Sequence, residues 1–386
     1  MSLIRKINHR SEISYDFSFN SDKSKRNILI FVENINATYY LSFHYVLQLL
    51  HQKDELNFFV ISSPTITKYL EQDNQNPEEL ISNILTKIQP HIVIFSRYGL
   101  PFGKIFQQKC QEKKIPTIYH IDDDLLNIPL SLGKGIQKQH GSQEVIHQRE
   151  YLLKNVDLIY ASTPYLGKTL ANRFPQQKVY YGIYAPYLDF LISKTQLDSK
   201  FQETDTLTIG YMGSKGHQED LKMITPAIAQ ILADYPHIKF ETFGTIAMPD
   251  ELKSFGERII SHKVNVNYEQ FLQTLYNLRW NIGLAPLQNT EFNNCKAPTK
   301  FIEYTSCEIP TIASNVGVYN QFTDEQQIIL AESDDWYSKL RLLIKNPDLR
   351  KSLLTNAKAR CSQEFSMEVL EKQIMTVIKN VNLMIN

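Results

Sequence analysis

Short apolar runs of strand character alternate with stretches of helical periodicity along most of the chain, and this alternation constrains the fold more than any other feature. Asn27–Glu33, Asn57–Ser62, His91–Ser96, Pro116–His120 and Val156–Ser162 read as strands. Helical patterns cover roughly Tyr39–His51, Pro77–Ile88, Phe102–Glu112 and Ser142–Lys154, and Pro164 opens a short helix. Strands of continuous apolar character separated by helices predict a parallel sheet covered on both faces. The pattern weakens from Tyr181 to Asp205 and restarts at Leu207–Met212. Helix Gln218–Asp234 follows, with a kink or break expected near Pro226. Next come strand Ile238–Phe243, a short strand near Val264, helix Tyr268–Leu278, strands Trp280–Leu287 and Ile309–Ser314, and a strand near Ile328. Residues 334–384 read as helical, with Ser366 capping the last helix. The expected organisation is α/β in two consecutive units: an irregular arm over 1–26, a first unit over 27–190, a linker over 191–206, a second unit over 207–365 and a last helix over 366–386.

Composition narrows the class. Apolar residues make up 42% and charged residues 21% of 386, as in an ordinary globular protein. The 41 basic and 41 acidic side chains cancel, so no overall field draws the chain to nucleic acid or an anionic surface. Cys110, Cys295, Cys307 and Cys361 have no metal-ligand spacing, and a reduced, cytoplasmic protein is the simplest expectation. No apolar run approaches the roughly 18 residues needed to span a bilayer. Met1–Ser24 is polar and lacks the apolar stretch of a signal peptide.

Chemistry concentrates in Asn294–Tyr304, which follows one strand and precedes another. Ala297-Pro298 reads as a helix entry, with Pro at the first helical position. Lys300 and Glu303 lie three apart on one face, while Phe301, Ile302 and Thr305 face a core. Lys296 sits just before the helix, beside its free N–H groups. These features make either a solvated face with one weak ion pair or an anion site for a diphosphate, with Glu303 accepting from ribose hydroxyls. The position at a strand's carboxyl end, where open α/β sheets bind ligands, favours the second. Gly210-Tyr-Met-Gly213-Ser-Lys-Gly216 opens the same unit: Gly213 allows a tight turn, and Ser214 and Lys215 are candidate phosphate contacts. In the first unit, His120-Ile-Asp122-Asp-Asp124 ends a strand. Such a cluster can hold Mg²⁺, orient a hydroxyl or cap a helix. Alternation puts His120 and Asp122 on one side, a plausible acid–base or substrate-orienting pair, and leaves Asp124 as a cap. Because lysines are available to neutralise a diphosphate, no metal is expected.

These residues resemble a family. Ile209–Leu221 is similar to the phosphate loop, and Lys296–Ser314 to the donor helix and strand, of GT-B glycosyltransferases, in particular the retaining family-4-like group of bacterial glycan enzymes. Tyr119–Leu125 is similar to an acidic signature of the acceptor domain in some members. The resemblance runs from about Asn27 to the C-terminus. It implies two Rossmann-like domains facing a cleft, with the last helix crossing back to the first domain. It implies transfer of a sugar from a nucleoside diphosphate sugar to a hydroxyl of a glycan, lipid-linked or protein acceptor, without a cofactor. It places Gly213, Ser214, Lys215, Lys296, Ala297, Thr299, Lys300 and Glu303 around the donor, with His120, Asp122, Lys215 and Lys300 as catalytic residues. A bacterial polysaccharide role, in the cytoplasm or at the inner face of the membrane, is the corresponding expectation. Cys295 stands where that group often carries a first glutamate, eight positions before Glu303. Asn34–Tyr40 replaces its usual glycine-rich loop, and its Arg/Lys pair is represented only by Lys215, Lys296 and Lys300. A nucleotide-sugar epimerase and an inactive binding subunit supporting a partner transferase remain as alternatives.

Overall fold

The computed structural model describes residues 15–19, 25–73, 76–188, 206–264 and 268–382. Most of the expected N-terminal arm, nearly all of the expected linker and the last four residues of the expected final helix lie outside them.

The first sheet comprises β1 (Phe17–Phe19), β2 (Asn27–Val32), β3 (Asn57–Ser62), β4 (Ile92–Ser96), β5 (Thr117–Ile121), β6 (Leu158–Ala161) and β7 (Val179–Tyr181), in the order β1-β3-β2-β4-β5-β6-β7. β1 is antiparallel to β3 and the other pairs are parallel. Alternate residues of β2 serve opposite faces: Leu29 and Phe31 join a cluster with the helices Pro77–Ile88, Gly103–Glu112 and Gln143–Asn155. Ile28, Ile30 and Val32 join another on the opposite side. Both faces are therefore buried, which is why the strands are continuously apolar.

The second sheet comprises β8 (Leu207–Gly213), β9 (Ile238–Gly244), β10 (Ile259–His262), β11 (Ile282–Ala285), β12 (Thr311–Ser314) and β13 (Ile329–Ala331), all parallel in the order β10-β9-β8-β11-β12-β13. One face packs on helix Gln218–Asp234, the other on helix Thr299–Ser306. In each sheet the strand order reverses beside the first long parallel strand, β2 or β8, and this crevice is where an α/β sheet binds ligands.

The helix Met367–Asn382 follows the second domain in sequence but buries Leu370, Ile374, Val377, Ile378 and Val381 in the first domain's core. Ser366 Oγ accepts the Val369 N–H at 3.3 Å and starts it. Gln373 then takes both backbone groups of Ile183, its Oε1 accepting at 2.8 Å and its Nε2 donating at 2.9 Å. The two facing Rossmann-like domains and the crossing helix are the GT-B architecture.

Several local expectations change. Phe17–Phe19 is an edge strand paired with β3, not part of an irregular arm. Helix Gln218–Asp234 continues through Pro226, so of the expected kink or break the break does not occur. The strand expected near Val264 is β10, slightly earlier. Helix Thr299–Ser306 begins one residue later than read, with Pro298 at its cap. Helices Ser63–Asp73 and Lys134–His140 were not anticipated.

Gly210 is the tightest steric point of the second sheet: a Cβ there would lie 1.8 Å from the Trp280 ring. Gly210→Ala should lower the melting temperature, with a stability loss of about 1–3 kcal/mol or more from overpacking; an unchanged melting curve would contradict this packing.

Candidate active site

The cleft between the domains holds a cavity of about 470 Å³ at the carboxyl ends of both sheets. Its second-domain wall begins at Gly213, the last residue of β8. Gly244 has φ of +124°, a conformation that favours glycine, and a Cβ there would lie 2.3 Å from the Gly213 carbonyl oxygen. That oxygen accepts the N–H groups of Thr245 and Ile246, both at 3.1 Å. The Lys215 N–H is turned away, donating to Thr245 Oγ1 at 3.0 Å.

Helix Thr299–Ser306 supplies the adjoining wall. Phe301, Ile302, Tyr304 and Thr305 are buried in the domain, which turns Lys300 and Glu303 to the cleft. Its first-turn N–H groups, lacking intrahelical partners, open at the same place. Tyr268 Oη donates to Glu303 Oε1 at 2.6 Å. Burial pushes the Glu303 carboxyl up to about 7, against the pull of Tyr268 and Lys300. Burial likewise pushes Lys300 down to about 8, with Lys296 adding and Asp220 and Glu303 opposing. Lys296 crosses the cleft, 3.4 Å from Asp123 of the first domain, and lies 4.7 Å over the Phe292 ring.

The first-domain wall centres on Arg97 and Asp122. Arg97 Nη1 donates to Thr38 Oγ1 at 3.1 Å and Asp122 Oδ2 at 3.2 Å. Thr38 Oγ1 donates to the same Asp122 oxygen at 3.0 Å and accepts from Tyr184 Oη at 3.1 Å. Burial disfavours the Arg97 charge, but the carboxylates of Asp122, Asp123 and Glu33 more than offset it. Asp122 Oδ1 is buried, and among the described residues nothing donates to it.

A smaller cavity of about 230 Å³ adjoins, lined by Leu125, Ile128, Leu132 and Ile136 on one side and by His217, Gln288 and Asn293 on the other. Between the two spaces stands His217, whose Nδ1 is 2.8 Å from Asp220 Oδ2.

Of the expected residues, Gly213, Ser214, Lys296, Ala297, Thr299, Lys300, Glu303 and Asp122 line one cavity. Two do not. Lys215 is exposed on a short 3₁₀ turn that carries it out of the lining. His120 is fully buried on the sheet face of Phe43 and Tyr160, with Nδ1 2.9 Å from Ser96 Oγ, and burial, then Arg97, pushes it down to about 3. The expected His120–Asp122 pair is not formed, because the strand ends at Ile121 and alternation no longer applies to Asp122. Asp124 caps a turn rather than a helix: its carboxylate takes the Leu126 backbone N–H and both Arg173 Nη atoms, the latter at 2.8 and 2.9 Å. Cys295 faces the first domain's apolar cluster, and its carbonyl accepts from Thr163 Oγ1 at 3.0 Å. Sequence reasoning assigned no role to Arg97, Thr38, Tyr184, Tyr268 or His217. Only His217 carried a local signal, an acid three residues on at the start of a helix.

Residues 223–376 match a family model described as glycosyl transferase-like. No curated protein matches the chain in sequence. Among solved structures, a glycosyltransferase from Rickettsia africae is similar at 15% identity and TM-score 0.68, over 92% of this chain and 98% of its own. Anabaena HepE in complex with UDP is similar at 12% and 0.60, over 92% and 100%. A UDP-forming α,α-trehalose-phosphate synthase from Burkholderia xenovorans is similar at 9% and 0.59, over 93% and 99%. These likenesses agree with the GT-B fold described above.

Glu303 makes stability depend on pH in a direction that can be checked. Its folded value lies above its ordinary one, so the folded protein binds the extra proton between about 4.5 and 7 and loses stability as pH rises through that window. Glu303→Gln, which removes the charge and keeps an acceptor for Tyr268, should melt higher than the parent at about pH 8 and lose that advantage toward pH 4.5. A variant less stable than the parent at pH 8 would contradict this.

Proposed function

We propose that the protein is a retaining, family-4-like glycosyltransferase that moves a sugar from a nucleoside diphosphate sugar to a hydroxyl acceptor. The observation that carries this reading is the convergence of Lys300, Lys296 and a helix N-terminus with the Tyr268-bound Glu303 in one cavity, opposite Asp122 and Arg97. The cations and N–H groups suit a diphosphate, and Glu303 suits ribose hydroxyls. Bound UDP and UDP-glucose in HepE make uridine donors the first candidates.

In the proposed reaction the bond from the anomeric carbon to the diphosphate oxygen breaks, and a bond to the acceptor oxygen forms on the same face. The acceptor's proton goes to the leaving diphosphate oxygen. Lys300, Lys296 and the helix start offset the charge that collects on the leaving group. Asp122, fixed by Thr38 and Arg97, lines the cavity and so orients a hydroxyl of the transferred sugar or acceptor. No metal is required in this scheme, since side-chain cations meet the diphosphate. The acceptor is a glycan, lipid-linked or protein hydroxyl in bacterial polysaccharide or glycoconjugate synthesis, in the cytoplasm or at the inner membrane face. Among the described residues no helix is long and apolar enough to cross a membrane.

Incubation with a panel of nucleotide sugars should give transfer or slow hydrolysis, undiminished by excess chelator. Isomerised donor would indicate an epimerase, and binding without turnover an inactive subunit; loss of turnover on chelation, restored by Mg²⁺ or Mn²⁺, would contradict metal independence. Two substitutions separate the walls. Lys300→Ala should weaken UDP binding by calorimetry while leaving uridine binding nearly unchanged. Asp122→Asn should leave UDP affinity near that of the parent and reduce turnover by roughly 10²–10⁴-fold. Equal UDP affinity in Lys300→Ala, or equal turnover in Asp122→Asn, would contradict the corresponding role.

A further inference from the structure

His217 lines both cavities, at their junction beside the lysines, and the fold holds its ring through one nitrogen. Asp220, in the first turn of helix Gln218–Asp234, takes Nδ1 with one carboxylate oxygen, while its other oxygen accepts the Gln288 N–H at 3.0 Å. The carboxylate is thus fixed from the loop after β11 and acts only as an acceptor. It assigns the ring proton to Nδ1 and leaves Nε2 as the nitrogen available to a ligand. We infer that His217 is a third cation for the diphosphate, taking a proton from solvent when the diphosphate arrives and donating Nε2–H to a phosphate oxygen. This rests on the proposed donor site and adds to it a group that changes charge with occupancy.

The charged and titratable groups around the ring are Glu219 and Asp220 on the helix that follows it, Lys296 and Lys300 from the segment after β11, and Arg97, Asp123 and His140 across the cavity. In the protein alone the Lys300 charge, then burial, push the imidazole down to about 4, with Asp220 pulling the other way. A diphosphate placed against the lysines reverses the sign of the local field, and an imidazole already anchored on a carboxylate then gains its second proton. The arrangement avoids packing three cations together before an anion is present. It also gives the leaving group a hydrogen-bond donor as its negative charge grows. When the nucleotide diphosphate departs, the proton returns to solvent.

The direct test is ¹⁵N NMR of histidine-labelled protein near pH 6.5, the ordinary imidazole value. The His217 signals are assigned by their absence in His217→Gln. Alone or with uridine, His217 should show one protonated nitrogen, Nδ1. With UDP or inorganic pyrophosphate it should show two. Calorimetry at the same pH should find UDP bound roughly ten- to a hundredfold more weakly by His217→Gln, with uridine unchanged. A ring that stays neutral with UDP bound, or equal UDP affinity in His217→Gln, overturns the inference and leaves the donor site standing. Failure of the parent to bind either UDP or pyrophosphate overturns both. The protonation state is read on the parent protein, and the variant serves there only to assign the signals.

Discussion

The Tyr304 hydroxyl fixes the geometry on which the site depends. It accepts the Met212 N–H at 3.0 Å and donates to the Leu284 carbonyl at 3.0 Å, and the residue is fully buried. Both partners lie near the carboxyl ends of adjacent strands, β8 and β11, where backbone groups leaving a sheet need partners. One side chain therefore ties helix Thr299–Ser306 to both strand ends and sets its rotation. Gly283 makes room for the Tyr304 ring, since a Cβ there would lie 2.9 Å from it. With Phe301 and Ile302 turned to the apolar cluster, Lys300 and Glu303 face the cleft, and Tyr304, four residues from Lys300, reaches the strand ends one turn further along the same side. A helix rotated by one residue would bury them in the apolar cluster instead.

The same placement sets the electrostatics. Lys300, Glu303 and His217 share a partly desolvated space, and each is pushed toward its neutral form. The second domain thus holds its ionisable groups against their own preference, as is common where a ligand is to supply the missing charge. The first-domain wall behaves differently. Arg97 is locked among Thr38, Asp122 and Glu33, and it stays charged whatever the cleft contains. One wall is responsive and the other fixed, which suits a division between binding a charged leaving group and orienting a neutral hydroxyl.

The sequence made the two α/β units legible because strands buried on both faces must be continuously apolar, and β2, β3 and β4 are. Helix Thr299–Ser306 was legible for a related reason: a lysine and a glutamate three apart, with aromatic and aliphatic neighbours on the opposite face, define a buried side and a cavity side. What failed was the extension of a local rule beyond its element. Strand alternation paired His120 with Asp122, but the strand stops between them, and His120 falls on a face that Phe43 and Tyr160 cover. Lys215 looked equivalent to Lys300 by charge and loop position, yet the 3₁₀ turn sends it to solvent. Arg97, Thr38 and Tyr184 come from three separated segments, and only the fold brings them to Asp122.

A structure of the protein crystallised with UDP tests the central claim most directly. The account predicts the diphosphate at the start of helix Thr299–Ser306, within hydrogen-bond distance of Lys300 Nζ, and the ribose hydroxyls on Glu303. A diphosphate bound against the first-domain wall, or a ribose away from Glu303, would contradict it.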